Sequence, residues 1–135
     1  MYGNCDIFIY AMASILITDD EPSIRKLLGV MFKDAGHIIY QASNGVEAMR
    51  ILDAKKIDIM IIDIVMPEKG GIETIMQVRE NHPDLDLIVV SGKVSIENDA
   101  FQNLIKQYRV YKVFDKPFEK EEIFSAVEEL TADKV

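Results

Sequence analysis

Short apolar runs rich in β-branched residues alternate along the chain with segments of helical periodicity. The runs occupy residues 15–17, 37–40, 57–62, 85–90 and 110–114. The segment after the first run shows the helical spacing clearly, with apolar residues at Ile24, Leu27, Leu28 and Met31. Strands that alternate with helices form a parallel sheet, because each helix returns the chain to the starting edge of the sheet. The pattern therefore predicts a doubly wound α/β fold with five strands and five helices.

The third and fourth apolar runs contain almost no polar residues, which is typical of strands covered by helices on both faces. Asn44 precedes the second helical segment and is predicted to be its N-cap. Residues 1–13 lie before the first strand and follow neither periodicity. We therefore predict an N-terminal extension of unknown role over residues 1–13 and one domain over residues 14–135.

The acidic composition argues against several partners. The chain has 135 residues and a formal net charge of −8, whereas nucleic acids and anionic membranes attract basic surfaces. The longest apolar stretch, residues 7–17, is shorter than the roughly 20 residues that cross a bilayer, and no basic residue precedes it as in a signal peptide. The single cysteine favours a reducing compartment, so we expect a cytoplasmic protein that binds neither nucleic acid nor membrane.

Polar residues follow four of the predicted strands at the point where each strand ends. Asp19 and Asp20 follow the first strand, Asp63 ends the third, Ser91 ends the fourth and Lys116 follows the fifth. The carboxyl ends of parallel strands lie at one edge of the sheet, where ligands of such folds bind. The five residues converge on one pocket if the first, third, fourth and fifth strands are neighbours.

This combination suits phosphoryl chemistry at a carboxylate. Three neighbouring carboxylates repel one another, and Mg²⁺, which prefers oxygen ligands, removes that conflict. Asp63 is then a candidate nucleophile that forms an aspartyl phosphate, with Lys116 as a fixed cation and Ser91 as a hydrogen-bond donor. Four of the five residues also have a plainer interpretation: an acidic first helical turn for Asp19 and Asp20, a turn residue for Ser91 and a surface lysine for Lys116.

Four short segments resemble the motifs of response regulator receiver domains, the CheY-like family of two-component signalling. They are residues 15–22 (ILITDDEP), residues 63–67 (DIVMP) with Gly71 eight positions after Asp63, residues 91–92 (SG) and residues 116–118 (KPF). The resemblance extends from residue 14 to about residue 130. Each motif alone is weak, but all four occur in order and each lies at the end of a predicted strand.

The resemblance implies a flavodoxin-like sheet of strand order 2-1-3-4-5 and a role for each site residue. Asp63 would accept a phosphoryl group from the phosphohistidine of a sensor histidine kinase or a phosphotransfer protein. Mg²⁺ would be held by Asp20, Asp63 and the backbone carbonyl of Val65, with Asp19 acting mostly through water. Lys116 would pair with Asp63 and then with the phosphoryl group, and Ser91 would move toward it.

The protein would thus catalyse its own phosphorylation and dephosphorylation without being an enzyme for another substrate. The resemblance further implies a cis bond before Pro117 and a tuning role for Val65 and Lys93. It also implies that a downstream protein binds the face of the fourth helix, fifth strand and fifth helix. The chain itself would be a monomer or a weak dimer. Candidate contacts on that face are Phe101, Tyr108, Tyr111 and Lys112, although some of the rings also suit the core.

One position departs from the family pattern. Receivers often carry Tyr or Phe three residues before the lysine, and that ring moves inward with the serine or threonine. The residue here is Val113, and Phe114 should point to the opposite face of its strand, because side chains alternate along a strand. Tyr111 should lie on the same face of the strand as Val113, but it is two residues further from Lys116.

Other functions on the same fold fit the residues less well. An FMN site would need a neutral phosphate loop after the first strand, where this chain has Asp19 and Asp20. An aspartyl phosphatase would need an acid two residues after Asp63, where this chain has Val65. A pseudo-receiver that takes no phosphate would normally lack one of the five pocket residues. The sequence leaves open a stand-alone regulator or a receiver from a longer regulator or hybrid kinase.

Overall fold

The structure, a computed structural model, describes residues 12–65, 70–92 and 99–132. Five parallel strands form a single sheet of order β2-β1-β3-β4-β5, as the family resemblance implied. The strands are β1 (Ser14–Thr18), β2 (Ile38–Ala42), β3 (Ile59–Asp63), β4 (Asp86–Ser91) and β5 (Lys112–Asp115). The reversal of strand order beside β1 opens a crevice at the carboxyl edge of the sheet.

A helix follows each strand. The helices are α1 (Pro22–Asp34), α2 (Gly45–Ala54), α3 (Gly71–Asn81), α4 (Asp99–Gln107) and α5 (Lys120–Ala132). The predicted N-cap of α2 is confirmed, because the Asn44 side chain accepts a hydrogen bond from the backbone N–H of Glu47 at 2.9 Å. The sequence therefore predicted the number, type and order of the elements in the described part of the chain.

The core has two layers, one on each face of the sheet. All five residues of β3 are buried, and its side chains alternate between the layers. Ile59 and Ile61 pack with residues of α1 and α5 such as Phe32 and Val127. Met60 and Ile62 pack in the layer that holds Ala48 and Leu52 of α2, Ile75 and Val78 of α3, and Phe101 of α4. The central strand is thus held on both faces, and Asp63 at its end is fixed in place.

The side chains around β5 follow the predicted alternation with one correction. Val113 packs against the α2–α3–α4 layer, whereas Phe114 packs against the α1–α5 layer. Phe101, named as a candidate contact on the face of α4, β5 and α5, is instead only 4% exposed, because its side chain packs in the core, where partly buried Ile105 of α4 joins it. The Lys116–Pro117 peptide bond is cis, as the resemblance implied.

The edge of the sheet opposite the crevice is held by the buried arginine of α3. The Arg79 guanidinium donates to backbone carbonyl oxygens of both loops that enter β4 and β5, those of His82, Pro83, Leu85, Tyr108 and Arg109. A buried guanidinium is stable only when its donors are satisfied, and carbonyl oxygens do this without a carboxylate. Arg79 therefore ties the two loops together, far from the residues of the crevice.

The predicted N-terminal extension, residues 1–13, lies mostly outside the described residues. Of the two that are described, Met12 is half exposed and Ala13 is buried, with its N–H donating to Nδ1 of His37 at 3.0 Å. Among the described residues, no helix has both the length and the apolar character needed to cross a bilayer.

Candidate functional site

The strand register brings the predicted site residues to one edge. Thr18 of β1 is opposite Ile62 of β3, so Asp19 follows β1 beside Asp63. Asp63 is in turn opposite Val90 of β4. Ser91 ends β4 beside Asp115, and the N–H of Lys116 donates to the carbonyl oxygen of Ser91 at 2.8 Å. The convergence that was predicted from the strand ends is therefore observed.

Three carboxylates form a cluster at the floor of the crevice. Asp19, Asp20 and Asp63 each offer one oxygen, and these oxygens lie within 4.8 Å of one another. Asp19 is 3% exposed and Asp63 is 4% exposed, whereas Asp20 faces solvent. Hard oxygen donors at this spacing suit a divalent cation such as Mg²⁺, which also relieves their repulsion.

Lys116 is the cation beside this cluster. Its Nζ lies 3.0 Å from Oδ2 of Asp19 and 3.1 Å from Oδ2 of Asp63. It also lies 3.2 Å from Oε1 of Glu21. Burial disfavours the charged ammonium, but the hydrogen bonds and charges of Asp19 and Asp63 outweigh burial and raise the pKa of Lys116 above its ordinary value. Lys116 therefore stays protonated and presents a permanent positive charge to the crevice.

The two buried carboxylates are held in the same way. The second oxygen of Asp19, Oδ1, accepts the N–H of Glu21 at 2.9 Å, and Oδ1 of Asp63 accepts the N–H of Val65 at 3.1 Å. Burial raises the pKa of Asp19, and the charge of Asp63 adds to this effect, while the hydrogen bonds from Glu21 and Lys116 oppose it.

An arginine of α1 fixes the loop that carries the acidic pair. Nη1 of Arg25 donates to the carbonyl oxygen of Asp19 at 2.6 Å. The N–H of Arg25 also donates to the carbonyl oxygen of Glu21 in the first turn of α1. The β1–α1 loop is therefore held by its own helix, so the metal-binding candidates are preorganised before any ligand arrives.

Gly71 supports the loop after Asp63 through a very close backbone contact. Its N–H donates to the carbonyl oxygen of Ile64 at 2.8 Å. A Cβ at this position would lie 2.3 Å from Cα of Ile64 and 2.5 Å from the carbonyl oxygen of Asp63. Only glycine permits α3 to begin this close to the end of β3, which explains the glycine eight residues after Asp63.

Less is described of the contacts of the remaining predicted site residues, which are Ser91, Val65 and Lys93. Ser91 is buried at the carboxyl end of β4, one residue beyond the partner of Asp63. Val65 is described, and its N–H holds Asp63, while Lys93 lies outside the described residues. Glu21 and Arg25 were not predicted as site residues. The sequence signals for them are weak: Glu21 is a charged residue directly after the acidic pair, and Arg25 is another charged residue one helical turn later.

Comparison with known families settles the class of protein. The family model for the response regulator receiver domain matches residues 15–128. The chain belongs to this family. It is a phosphorylation-dependent receiver of two-component signalling, and the alternatives of an FMN carrier, a phosphatase or a pseudo-receiver are not favoured.

Relatives carry this receiver both nearly alone and within longer proteins. The chemotaxis protein CheY of Listeria monocytogenes is 32% identical over 120 residues, which cover 87% of this chain and 97% of that protein. The transcriptional regulatory protein GlrR of Escherichia coli is 27% identical over 117 residues, covering 87% of this chain and 26% of that protein. The sensor kinase CckA of Brucella abortus is 30% identical over 120 residues, covering 87% of this chain and 12% of the kinase. The receiver thus spans about a quarter or less of the length of GlrR and CckA.

Solved structures agree with the fold. The receiver domain protein of Methanospirillum hungatei superposes with a TM-score of 0.83 at 19% identity, over 91% of this chain and 96% of that one. The response regulator TrrA of Thermotoga maritima, solved in complex with Mg²⁺ and BeF, has a TM-score of 0.73 at 28% identity, over 88% of this chain and 99% of that one. At 19% identity, the likeness to the Methanospirillum hungatei protein establishes the fold alone.

Proposed function

We propose that Asp63 is the phosphoacceptor of this receiver and that Asp19, Asp20, Lys116 and Ser91 form its reaction site. The observation that carries the proposal is the surroundings of the Asp63 carboxylate. It is buried at the end of the central strand, next to two further carboxylates and bonded to a lysine ammonium. A carboxylate needs such neighbours to act as a nucleophile toward phosphorus, because the incoming oxygens carry negative charge.

The proposed donor is the phosphohistidine of a sensor histidine kinase or a phosphotransfer protein. A carboxylate oxygen of Asp63 attacks phosphorus, the new P–O bond forms as the P–N bond breaks, and the electron pair of that bond returns to the imidazole. Lys116 neutralises charge on the phosphoryl oxygens, and the hydroxyl of Ser91 donates to one of them. Water then attacks the phosphorus of the aspartyl phosphate, which releases inorganic phosphate and returns the carboxylate, so the receiver catalyses both halves of its own cycle.

The acidic cluster fits a divalent cation. Asp19, Asp20 and Asp63 offer hard oxygen ligands within 4.8 Å of one another, and the carbonyl oxygen of Val65 completes the proposed ligand set. When bound, Mg²⁺ supplies positive charge that neutralises the phosphoryl oxygens. The formal charges of Asp19, Asp20, Glu21 and Asp63 outnumber that of Lys116 by three, so a divalent cation removes most of the excess negative charge.

Mg²⁺ is expected to stabilise the wild-type fold and to do so less in Asp20→Asn. Asp20 faces solvent, so the amide should remove a ligand without disturbing the core. At a Mg²⁺ concentration ten times the dissociation constant, mass action stabilises the folded state by about 1.4 kcal/mol. Thermal melts across a Mg²⁺ series, with NaCl at matched ionic strength as control, measure both proteins. Asp19→Asn should weaken the effect less if that residue acts mostly through water.

The contradicting outcome is a wild-type melting temperature that does not respond to Mg²⁺ beyond the NaCl control. The three carboxylates would then not act together as a cation site. A response of equal size in Asp20→Asn would show that the cation binds elsewhere.

We further propose that phosphorylation is transmitted to the face formed by α4, β5 and α5, where a downstream protein binds. Lys116 lies at the end of β5, and its N–H is bonded to the carbonyl oxygen of Ser91. Movement of either residue toward a phosphoryl group therefore pulls on β5. The exposed residues of that face include Tyr111 and Lys112, which both bond to Oε1 of Glu129 on α5.

Addition of beryllofluoride, a phosphoryl mimic, should shift the amide resonances of residues 110–118 and of the start of α4. Because Val113 replaces the usual ring, we expect smaller shifts on this face than in receivers that carry Tyr or Phe there. Heteronuclear NMR spectra with and without the mimic measure this directly. Shifts confined to residues flanking Asp63 would place the output surface elsewhere.

The proposed receiver comprises residues 14–135 and acts in the cytoplasm as a monomer or weak dimer. The experiment that tests its function is incubation with a small acyl phosphate and Mg²⁺, followed by intact mass spectrometry. We expect the mass of one phosphoryl group to be added, and expect EDTA to prevent the addition. Absence of any Mg²⁺-dependent addition would count against the proposal.

A further inference from the structure

The ammonium of Lys116 has one more carboxylate partner than its proposed role explains. An ammonium has three N–H donors. Three carboxylate oxygens surround Nζ, from Asp19 at 3.0 Å, Asp63 at 3.1 Å and Glu21 at 3.2 Å. These partners can occupy all three donors. Phosphorylation converts the Asp63 carboxylate and so changes one of these partners, but Lys116 can donate to a second phosphoryl oxygen only if another partner gives way.

The three partners differ in how firmly they are held. The side chains of Asp19 and Asp63 are 4% and 5% exposed, and the other oxygen of each is bonded to a backbone N–H. The side chain of Glu21 is 54% exposed. Loss of an ammonium partner costs a buried carboxylate much more than an exposed one, because water solvates only the exposed group. Glu21 is therefore the partner whose release costs least.

The position of Glu21 is nevertheless fixed by the loop. Its backbone N–H donates to Asp19, and its carbonyl oxygen accepts from the N–H groups of Ile24 and Arg25. The backbone thus holds the carboxylate within reach of Lys116 while the side chain stays free to turn into solvent. A residue held in this way returns to Lys116 whenever the phosphoryl group is absent.

We propose that Glu21 is a positioning residue that occupies the donor of Lys116 which the phosphoryl group later takes. This inference rests on the proposed phosphorylation of Asp63 and adds a residue that tunes it. Glu21 competes with the phosphoryl oxygens for Lys116, and its negative charge also repels an anionic phosphodonor. Both effects have the same sign: Glu21 weakens the binding of the phosphoryl group and slows its arrival.

The test is the affinity for beryllofluoride at saturating Mg²⁺ in wild type, Glu21→Gln and the control Glu73→Gln. Glu73 lies exposed in the first turn of α3, so its change removes the same charge near the same edge. Exposed ion pairs contribute little, so we expect Glu21→Gln to bind the mimic only about threefold more tightly. Glu73→Gln should bind like wild type. Mg²⁺ affinity in Glu21→Gln should be equal to that of wild type or weaker, because removal of a negative charge does not favour a cation. Titrations followed by NMR give both affinities, and thermal melts confirm that the variants fold.

The inference is overturned if Glu21→Gln binds the mimic as wild type does, or if Glu73→Gln shows the same gain. It is also overturned if the Mg²⁺ affinity of Glu21→Gln rises by the same factor as the affinity for the mimic, since Glu21 would then act on the metal and not on Lys116. In each case a wild type that still binds the mimic and accepts a phosphoryl group leaves the proposed function standing. A wild type that does neither refutes the proposed function itself.

Discussion

Asp63→Asn is expected to reduce phosphoryl incorporation from a small acyl phosphate below detection. The amide that replaces the Asp63 carboxylate has no anionic oxygen to attack phosphorus. Intact mass spectrometry after incubation with Mg²⁺ measures the incorporation. Asn has one acceptor oxygen, so it can accept from Lys116 or from the N–H of Val65 but not from both, and thermal melts must show that the variant is folded.

Asp115→Asn is the matched control. Asp115 is an exposed carboxylate at the same edge of the sheet, beside Ser91, and is not a member of the acidic cluster. Its variant should be labelled like wild type, and both variants should melt cooperatively. Labelling of Asp63→Asn at the level of Asp115→Asn would mean that the phosphoryl group goes to another residue.

Gly71→Ala is expected to destabilise the receiver by about 3 kcal/mol, the upper part of the usual range for overpacking. Its Cβ would lie 2.3 Å from Cα of Ile64 and 2.6 Å from the carbonyl oxygen of that residue. These are backbone atoms, so relief requires α3 or the end of β3 to move. A shift there also displaces Asp63, so phosphorylation should slow as well. Chemical denaturation gives the free energy of unfolding, and the acyl phosphate assay gives the rate.

Gly29→Ala is the control for a glycine inside a helix. Its Cβ would meet the flexible Nε2 of Gln41 at 3.2 Å and Ile39 at 3.7 Å, with no backbone atom among its nearest contacts. Alanine favours helix over glycine, so this variant should be stabilised by about 0.5 kcal/mol or remain neutral. A Gly71→Ala protein as stable as Gly29→Ala would show that the close contact beside Asp63 can relax at little cost.

Much of the fold could be predicted because periodicity reports which faces are buried. The nearly unbroken apolar run that became β3 is buried along its whole length, and the apolar spacing that began at Ile24 became α1. Strand order is different, since periodicity does not report which strands are neighbours. That order came only from the resemblance of four motifs to a family, and the sheet confirms it.

The site was predictable to the level of its principal side chains and no further. Asp19, Asp20, Asp63 and Lys116 were found because parallel strands end at a common edge, and the structure brings them together. The contact of Glu21 with Lys116 spans 95 positions of the chain, and no local pattern encodes it. The sequence left the place of Phe101 open for a similar reason, because an aromatic residue on a helix suits a core and a binding face equally well. Residues 66–69 and 93–98, which include Lys93, lie outside the described parts of the chain, so the tuning role of Lys93 stays a prediction.

The most direct test of the central claim is to locate the phosphoryl group. After labelling with a small acyl phosphate and Mg²⁺, reduction with borohydride converts a phosphorylated aspartate to homoserine, which peptide mass spectrometry identifies by position. We predict homoserine at position 63 and unreduced aspartate at positions 19 and 20. Homoserine at either of those positions, with Asp63 unchanged, would contradict the assignment of Asp63 as the phosphoacceptor.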